Sequence, residues 1–222
     1  MKDLTLVFDL DGTLVNTAPD LTAATNHVLA QVGLAPISAA ELLPLTGQGA
    51  KAMVDRALGP AGAKLSEAEH SDLLARFFDY YGRHIAVGSE PYEGTIAALE
   101  HLSREGAKLA VCTNKKENMS RALLDALDMT KYFAAIAGRD TLPVSKPDPG
   151  HLLGTITMAG GRADRAVMIG DSRTDIATAK AANVPVIAVS FGYTDTPVRD
   201  LDPDIVIDHY SELLAAIASL KP

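Results

Sequence analysis

The sequence predicts an α/β protein in which a parallel β-sheet carries helices on both faces and an all-helical segment follows the first strand. Short apolar runs alternate with segments of helical spacing from residue 108 onward, the order typical of a parallel sheet. Residues 16–85 show helical patterns and no convincing strand. We expect this segment to form a lid over the sheet; the alternative is that it belongs to the same core.

The predicted strands are the short apolar runs at 4–8, 108–112, 134–137, 166–170 and 184–189, with a weaker one at 204–207. Helical spacing with polar starts separates them, as in 118–127 and 148–158. In parallel sheets, ligands bind in the crevice beyond the carboxyl ends of the strands. We therefore expect the functional residues at that edge.

The inserted segment carries clear helix signals. Pro19 stands at a helix start and Gly33 at its end, which is the usual placement of these residues. Ser38 and Ser66 each precede a glutamate by three residues, the spacing of a capping box at a helix N-terminus. The segment is therefore predicted to contain at least three helices.

Composition and charge exclude several functions. The 222 residues include 20 basic and 28 acidic side chains, for a net charge of −8, which disfavours nucleic acid and anionic membranes as partners. No apolar stretch reaches about 18 residues, so we expect no membrane span, and the acidic start does not resemble a secretory signal. Cys112 is the only cysteine and lies in an apolar run; this predicts core packing, no intrachain disulfide and a cytoplasmic location.

The first strand ends in two acids, Asp9 and Asp11. Residues at i and i+2 of an extended chain point the same way, so both carboxylates are expected on one side. At about 4 Å and an effective dielectric constant of about 20, their repulsion is roughly 4 kcal/mol. A cation could offset this cost, or the chemistry could require both acids. Asp11-Gly12 is also a hairpin turn signal, and the pair alone does not decide between these interpretations.

Three further strand ends carry polar residues. Thr113-Asn114 could hold a phosphate oxygen or cap a helix. Lys146 lies between Ser145 and two nearby prolines and could be a surface lysine in a turn. Asp171 follows the strand at 166–170, with Asp175 four residues later, and could cap the next helix.

Together, these strand ends bring an acid pair, a hydroxyl, a cation and further acids to the same sheet edge. Carboxylates around a cleft suit Mg²⁺, which takes one or two carboxylates together with waters and a substrate phosphate. Lys146 and Mg²⁺ would neutralise a phosphate, and Thr113 and the backbone would orient it. This combination predicts a phosphoryl-transfer site that works by positioning and electrostatics.

The motifs of the chain resemble those of a known family. The ordered pattern Asp9-x-Asp11-Gly12-Thr13, then Thr113, then Lys146-Pro147, then Gly170-Asp171-x-x-x-Asp175 resembles the haloacid dehalogenase superfamily. The resemblance implies a Rossmann-like parallel sheet core with an inserted all-helical cap domain. We place the catalytic core at 1–15 and 86–222 and the cap domain at 16–85.

Within the superfamily the chain is most similar to the phosphoglycolate phosphatases. The similarity extends over 11–15, 18–20, Leu45-x-Gly47-x-Gly49, Lys146-Pro147-x-Pro149 and Phe191-Gly192-Tyr193. Asn16-Thr17 departs from the Asp-Ser that relatives usually carry, but it lies past the catalytic loop. The resemblance implies a Mg²⁺-dependent phosphomonoesterase for a small organic phosphate, with 2-phosphoglycolate favoured.

The resemblance also implies roles for individual residues. Asp9 is the expected nucleophile, which forms an aspartyl-phosphate. Asp11 is expected to protonate the leaving alkoxide and then to act as base toward water. Thr113 and Lys146 would bind phosphoryl oxygens, and Lys146 would also offset the charge of Asp9.

The implied Mg²⁺ ligands are Asp9, the backbone carbonyl of Asp11 and Asp171, with Asp175 supporting the water shell of the ion. Lys51 and Arg56 flank the loop Gly47-Gln48-Gly49 of the cap domain (the cap loop) and could meet a substrate carboxylate or could simply be solvated charges. The predicted substrate-binding residues are Gly12, Thr113, Asn114, Lys146, Gly47, Gln48 and Gly49.

Alternatives to this function remain open. A dehalogenase is disfavoured, because the dehalogenases of the superfamily lack an acid two residues after the nucleophile, where this chain has Asp11. A phosphomutase, a sugar-phosphate or pyrophosphate phosphatase, and a catalytically silent phosphate-binding regulatory module are the remaining candidates. The expected partner is a small-molecule phosphate ester, with no obligate protein partner.

Overall fold

The computed structural model describes residues 1–43, 47 and 49–220. The described residues contain six parallel strands that form one sheet: β1 Thr5–Phe8, β4 Lys108–Cys112, β5 Ala135–Ala137, β6 Ala166–Gly170, β7 Val186–Val189 and β8 Ile205–Ile207. Their order in the sheet is β5-β4-β1-β6-β7-β8. The predicted α/β fold class with a Rossmann-like parallel sheet is confirmed.

Helices connect the strands and form the inserted segment. Their bounds are α1 Ala18–Gln31, α2 Ala39–Leu42, α3 Ala50–Leu58, α4 Glu67–Arg83, α5 Thr95–Arg104, α6 Glu117–Ala126, α7 Pro149–Met158, α8 Arg173–Ala181 and α9 Leu213–Leu220. Within the described part of the chain, no helix is both long enough and apolar enough to cross a membrane.

The sheet buries both of its faces. Along β1, Leu6 and Phe8 pack into one apolar cluster while Val7 packs into another, because successive side chains of a strand point to opposite faces. Side chains of α5, α6 and α9 cover the first face, and those of α7 and α8 cover the second. Strands buried on both faces explain why the sequence runs are continuously apolar.

The helices α1 to α4 bury apolar side chains in a cluster of their own. As predicted, Pro19 lies in the first turn of α1 and the chain turns at Gly33, which has a φ of +69°. The capping boxes at Ser38 and Ser66 are both present. This cluster is distinct from the two on the sheet, whereas the domain boundaries at 15/16 and 85/86 stay a prediction.

A two-stranded antiparallel ribbon joins the inserted helices to the sheet, and the sequence analysis did not predict it. It pairs β2 (Val15–Asn16) with β3 (Glu90–Pro91). Close by, the buried carboxylate of Asp20 accepts hydrogen bonds from Gly88 N at 3.0 Å and from Ser89 N at 2.8 Å. The chain segments that lead into and out of the inserted helices are thus held together.

Candidate active site

The two acids after β1 have different surroundings. Asp9 is buried, and its Oδ1 accepts from Leu10 N at 2.7 Å and lies 3.0 Å from Lys146 Nζ. The Asp11 carboxylate instead binds Lys115 Nζ, at 3.0 and 3.2 Å. The chain turns directly after β1, and Gly12 N donates to Val15 O at 3.0 Å. The turn and the acid pair, which the sequence left as alternatives, therefore coexist.

Asp9, Asp171 and Asp175 converge at the ends of β1 and β6. Each offers a carboxylate oxygen within 4.8 Å of those of the other two, and all three residues are buried. Asp171 is held by Thr13 Oγ1 at 2.7 Å and by Tyr193 N at 2.6 Å. These carboxylates could hold a metal ion.

Lys146 lies inside the same cluster, with a side chain that is 1 % exposed. Its Nζ is 2.6 Å from Asp175 Oδ1 and 3.0 Å from Asp9 Oδ1. The other oxygen of Asp175 accepts from Ser172 N at 3.1 Å and Ser172 Oγ at 2.6 Å, as part of the capping box of α8. Asp175 thus both caps the helix and positions the lysine.

The pKa values indicate a shortage of positive charge. Burial, together with the charge of Asp175, raises the pKa of Asp9 to about 6 against the opposing effect of Lys146. Burial and the neighbouring carboxylates also raise the pKa of Asp171 well above its usual value. Burial lowers the pKa of Lys146, but Asp175 and Asp9 outweigh it and leave that pKa above the usual range. Three buried carboxylates that share one lysine leave an excess of negative charge, which fits a hard divalent cation such as Mg²⁺.

Gly12 permits a close approach of the backbone to this cluster. Its φ is +84°, and a Cβ at this position would lie 2.5 Å from Asp171 Oδ2. Any side chain would therefore clash with the carboxylate as well as strain the backbone. Gly12 borders the predicted metal site, and its predicted contact with substrate remains a prediction.

Thr113 and Asn114 follow β4 at the same edge. Thr113 is buried, and its Oγ1 accepts from Lys115 N at 3.2 Å. Asn114 Nδ2 donates to Lys146 O and to Gly47 O, both at 3.0 Å. Among the residues described, Asn114 Oδ1 is buried without a hydrogen-bond partner. Asn114 therefore ties the sheet edge to the loop before α3, and its binding of substrate remains a prediction.

The cap loop is only partly described. Gly49 precedes α3 with a φ of +91°, and a Cβ at this residue would lie 3.1 Å from Arg139 Nη1. Gly47 accepts from Asn114, as above, while Gln48 lies outside the described residues. Lys51 pairs with Asp55 at 2.7 Å and has a side chain that is 65 % exposed. This placement agrees with the solvated-charge alternative for Lys51.

Lys115, which was not among the predicted site residues, lies between the sheet and the inserted helices. Its Nζ contacts Asp11 and donates to Tyr81 Oη of α4 at 2.7 Å. Burial lowers the pKa of Lys115, but Asp11 outweighs it and raises that pKa above the usual range. The signal was present, because Lys115 follows Thr113 by two residues at the same strand end.

A cavity of about 290 Å³ opens beside Asp11 and Lys115. Its inner wall is apolar and is formed by Met53, Phe77 and Phe78 of the inserted helices. Ligand pockets range from about 300 to 1,000 Å³, so this one suits a small molecule. Side chains of the inserted helices thus share this cavity with residues of the sheet edge, whereas a role of these helices as a lid stays a prediction.

Cys112 takes no part in this arrangement. It is buried among apolar residues on one face of the sheet, and burial raises the pKa of its thiol to about 12. A thiol in this state is a poor nucleophile at neutral pH. The prediction of core packing is consistent with this placement.

The chain was compared with known proteins. Residues 6–189 match the family model described as haloacid dehalogenase-like hydrolase. A phosphoglycolate phosphatase of Mesorhizobium japonicum is 49 % identical over 213 residues, covering 96 % of this chain and 94 % of that protein. A phosphoglycolate phosphatase of Agrobacterium fabrum is 48 % identical, covering 95 % and 91 % respectively.

Solved structures show the same fold. A crystal structure described as a predicted phosphoglycolate phosphatase from Haemophilus somnus superposes with a TM-score of 0.91 at 31 % identity and covers 97 % of this chain and 98 % of that one. The match of fold, ordered motifs and sequence over nearly the whole length agrees with the resemblance found in the sequence. The chain belongs to the haloacid dehalogenase-like hydrolase family.

Proposed function

We propose that this protein is a Mg²⁺-dependent phosphomonoesterase that hydrolyses 2-phosphoglycolate to glycolate and phosphate. The assignment as a phosphoric monoester hydrolase rests on the family and on relatives that are 41 to 49 % identical and are named phosphoglycolate phosphatases. The observation that carries the proposed metal-dependent chemistry is Asp9, buried between the cation of Lys146 and two further carboxylates. The names of the relatives support 2-phosphoglycolate as the substrate.

Asp9 is the proposed nucleophile. One of its oxygens attacks phosphorus, and the bond from phosphorus to the ester oxygen breaks as an aspartyl-phosphate forms. Lys146, 3.0 Å from Asp9, binds the phosphoryl oxygens and offsets their negative charge together with that of Asp9. Thr113, buried at the end of β4, contributes to the same binding.

Asp11 is the proposed acid and base. It gives a proton to the leaving glycolate oxygen and takes one from the water that then attacks phosphorus, which breaks the bond to Asp9 and releases phosphate. Before substrate binds, Lys115 Nζ holds the Asp11 carboxylate beside the cavity that both residues line. The two acids can play different parts because their surroundings differ.

Mg²⁺ would be held by Asp9, Asp171 and the backbone carbonyl of Asp11, with Asp175 as a supporting residue. When bound, the ion would supply positive charge that offsets the negative charge of the phosphoryl group. Thr13 and Tyr193 hold Asp171 from behind through its two oxygens, so that this ligand is in place before the ion arrives.

The test is phosphate release from 2-phosphoglycolate, measured with Mg²⁺, with excess EDTA, and for Asp9→Asn. We expect kcat/KM of about 10⁴ M⁻¹s⁻¹ or more with Mg²⁺. EDTA and Asp9→Asn should each lower the rate by about 10³-fold or more. Asp72→Asn, an exposed change of the same charge on α4, should have no effect.

Each contrary outcome has a distinct meaning. Full activity of Asp9→Asn would overturn the aspartyl-phosphate mechanism. Efficient hydrolysis of sugar phosphates but not of 2-phosphoglycolate would overturn the substrate, and transfer of phosphate to a second position of a sugar would identify a mutase. Tight binding of phosphate esters without turnover in Mg²⁺ would indicate a silent binding module.

A further inference from the structure

Lys115 is a buried cation that the binding of phosphate does not account for. Its side chain is 7 % exposed, and its Nζ lies 3.0 Å from Asp11 Oδ1 and 2.7 Å from Tyr81 Oη. The same Nζ also lies 4.4 Å from the centre of the Tyr81 ring. Lys146, in contrast, is enclosed by Asp9 and Asp175 on the phosphate side. The site thus contains a second cation on the side where the leaving group departs.

The cavity beside Lys115 makes this cation important for an anionic leaving group. Phe77, Phe78 and Met53 form an apolar wall, and a carboxylate that enters such surroundings needs a cation to replace its hydration. Among the described cationic residues of the cavity lining, Lys51, Lys116 and Arg139 are exposed. Lys115 differs from these three, because its side chain is only 7 % exposed.

The connectivity of the substrate places its carboxylate near the same ammonium group. Asp11 must come within hydrogen-bond distance of the ester oxygen to protonate it, about 2.7 Å. In a phosphorylated α-hydroxy acid, the carboxylate is attached to the carbon that carries this oxygen. Because Lys115 Nζ already contacts both oxygens of Asp11, a carboxylate in that position lies within its reach.

On the basis of the proposed function, we propose that Lys115 determines specificity for phosphate esters of short α-hydroxy acids by binding the substrate carboxylate. The substrate carboxylate exchanges with that of Asp11 on the ammonium group, which leaves Asp11 directed at the ester oxygen. Tyr81 of α4, itself 2 % exposed, keeps Lys115 in place from the side of the inserted helices.

Two substrates and two variants test this proposal. Ethyl phosphate differs from 2-phosphoglycolate by the exchange of the carboxylate for a methyl group. For Lys115→Met, the ratio of kcat/KM values, 2-phosphoglycolate over ethyl phosphate, should fall by about 10²-fold. Most of the loss on 2-phosphoglycolate should appear as a higher KM, because Lys115 would bind the carboxylate in the bound substrate as well as in the transition state.

Lys116→Met is the matched control. It removes the same charge from the next residue, whose Nζ lies 4.1 Å from the centre of the Phe78 ring in the same cavity. It should leave the ratio unchanged. Thermal unfolding of both variants verifies that they fold. A Lys115→Arg variant should have a ratio of kcat/KM values between those of the wild-type protein and Lys115→Met, because the arginine keeps the positive charge.

The outcomes separate the two proposals. If the wild-type protein hydrolyses 2-phosphoglycolate efficiently but Lys115→Met slows both substrates equally, the proposal for Lys115 is wrong and the proposed function stands. If Lys116→Met lowers the ratio as much, recognition is diffuse and the proposal is also overturned. If the wild-type protein does not turn over 2-phosphoglycolate, both proposals are overturned.

Discussion

The two walls of the cleft are built in opposite ways. The sheet wall is charged and closed: Asp9, Lys146 and Asp175 contact one another and are nearly inaccessible to water. The helical wall is mostly aromatic and apolar, with Phe77 and Phe78 facing a cavity. The residues proposed to act on the phosphate thus follow strands, whereas the inserted helices supply the aromatic and apolar part of the cavity lining.

The difference extends to energetics. Charges that are buried at the sheet edge depend on one another, so removal of one leaves the others uncompensated. Polar contacts on the inserted helices are largely exposed, like the Ser66–Glu69 capping box, and each is worth little beyond its own helix. We therefore expect substitutions to have large effects on stability at the sheet wall and small ones on the inserted helices.

The largest effect is expected for Lys146→Met. The substitution leaves Asp9 and Asp175 buried without their cation, so the free energy of unfolding should fall by about 3–5 kcal/mol. Urea unfolding in EDTA measures this loss without interference from metal.

Lys180→Met is the control for this substitution. It breaks the Lys180–Asp202 pair, whose side chains are 44 % and 95 % exposed, and should cost less than about 1 kcal/mol. Similar losses for the two variants would contradict the contrast between buried and exposed charges.

A smaller effect on the free energy of unfolding is expected from the titration of His151, which lies buried on α7. It is fully buried, with Nε2 3.0 Å from Gly138 O and Nδ1 3.6 Å from Cys112 Sγ. Burial, with the nearby charge of Lys146, lowers the pKa of His151 to about 4. Since the unfolded chain takes up this proton more readily, acidification from about pH 6.5 to 4 should destabilise the fold by up to about 3 kcal/mol.

A His151→Gln variant isolates this contribution, since glutamine can still donate to Gly138 O but does not titrate. The free energy of unfolding of the wild-type protein should decline more steeply between pH 6.5 and 4 than that of the variant. Parallel pH profiles would show that His151 does not contribute.

The smallest effect is expected on the inserted helices, for Ser66→Ala. Ser66 Oγ accepts from Glu69 N at 3.3 Å at the start of α4, and loss of such a cap costs about 1 kcal/mol. The kcat should be unchanged. Ser71→Ala, an exposed change inside α4, should be neutral or slightly stabilising; a fall in kcat for Ser66→Ala would couple this helix end to the chemistry.

The sheet was predictable because its strands are continuously apolar and end in turn residues. The predicted strand at 184–189 is two residues longer than β7, which spans Val186–Val189. The reason is that Val184 N donates to Ala179 O at 2.9 Å and so closes the end of α8. Pro185 then has no N–H to give to the sheet, and β7 begins at Val186. The apolar run at 184–189 thus joins a helix end and a strand.

The features that the sequence did not predict depend on contacts between distant segments. The ribbon of β2 and β3 consists of two residues on each side, too few for any periodicity. Lys115 acquires its significance from Asp11 and Tyr81, which are 104 and 34 residues away in sequence. By contrast, Asp9, Lys146 and Asp171 follow predicted strands or lie in distinctive motifs, so a common sheet edge could be foreseen.

The ribbon and the Asp20 contacts have a consequence for how the protein can change. The chain leaves the sheet at Val15–Asn16 and returns at Glu90–Pro91, and these two segments pair with each other. Residues between these two short strands can therefore change in length or sequence while each strand of the sheet keeps its neighbours, provided that the contacts of Gly47 with Asn114 and of Tyr81 with Lys115 are kept. For a protein engineer, this pair of strands is a natural point at which to exchange the inserted helices while the site residues at the sheet edge stay unchanged.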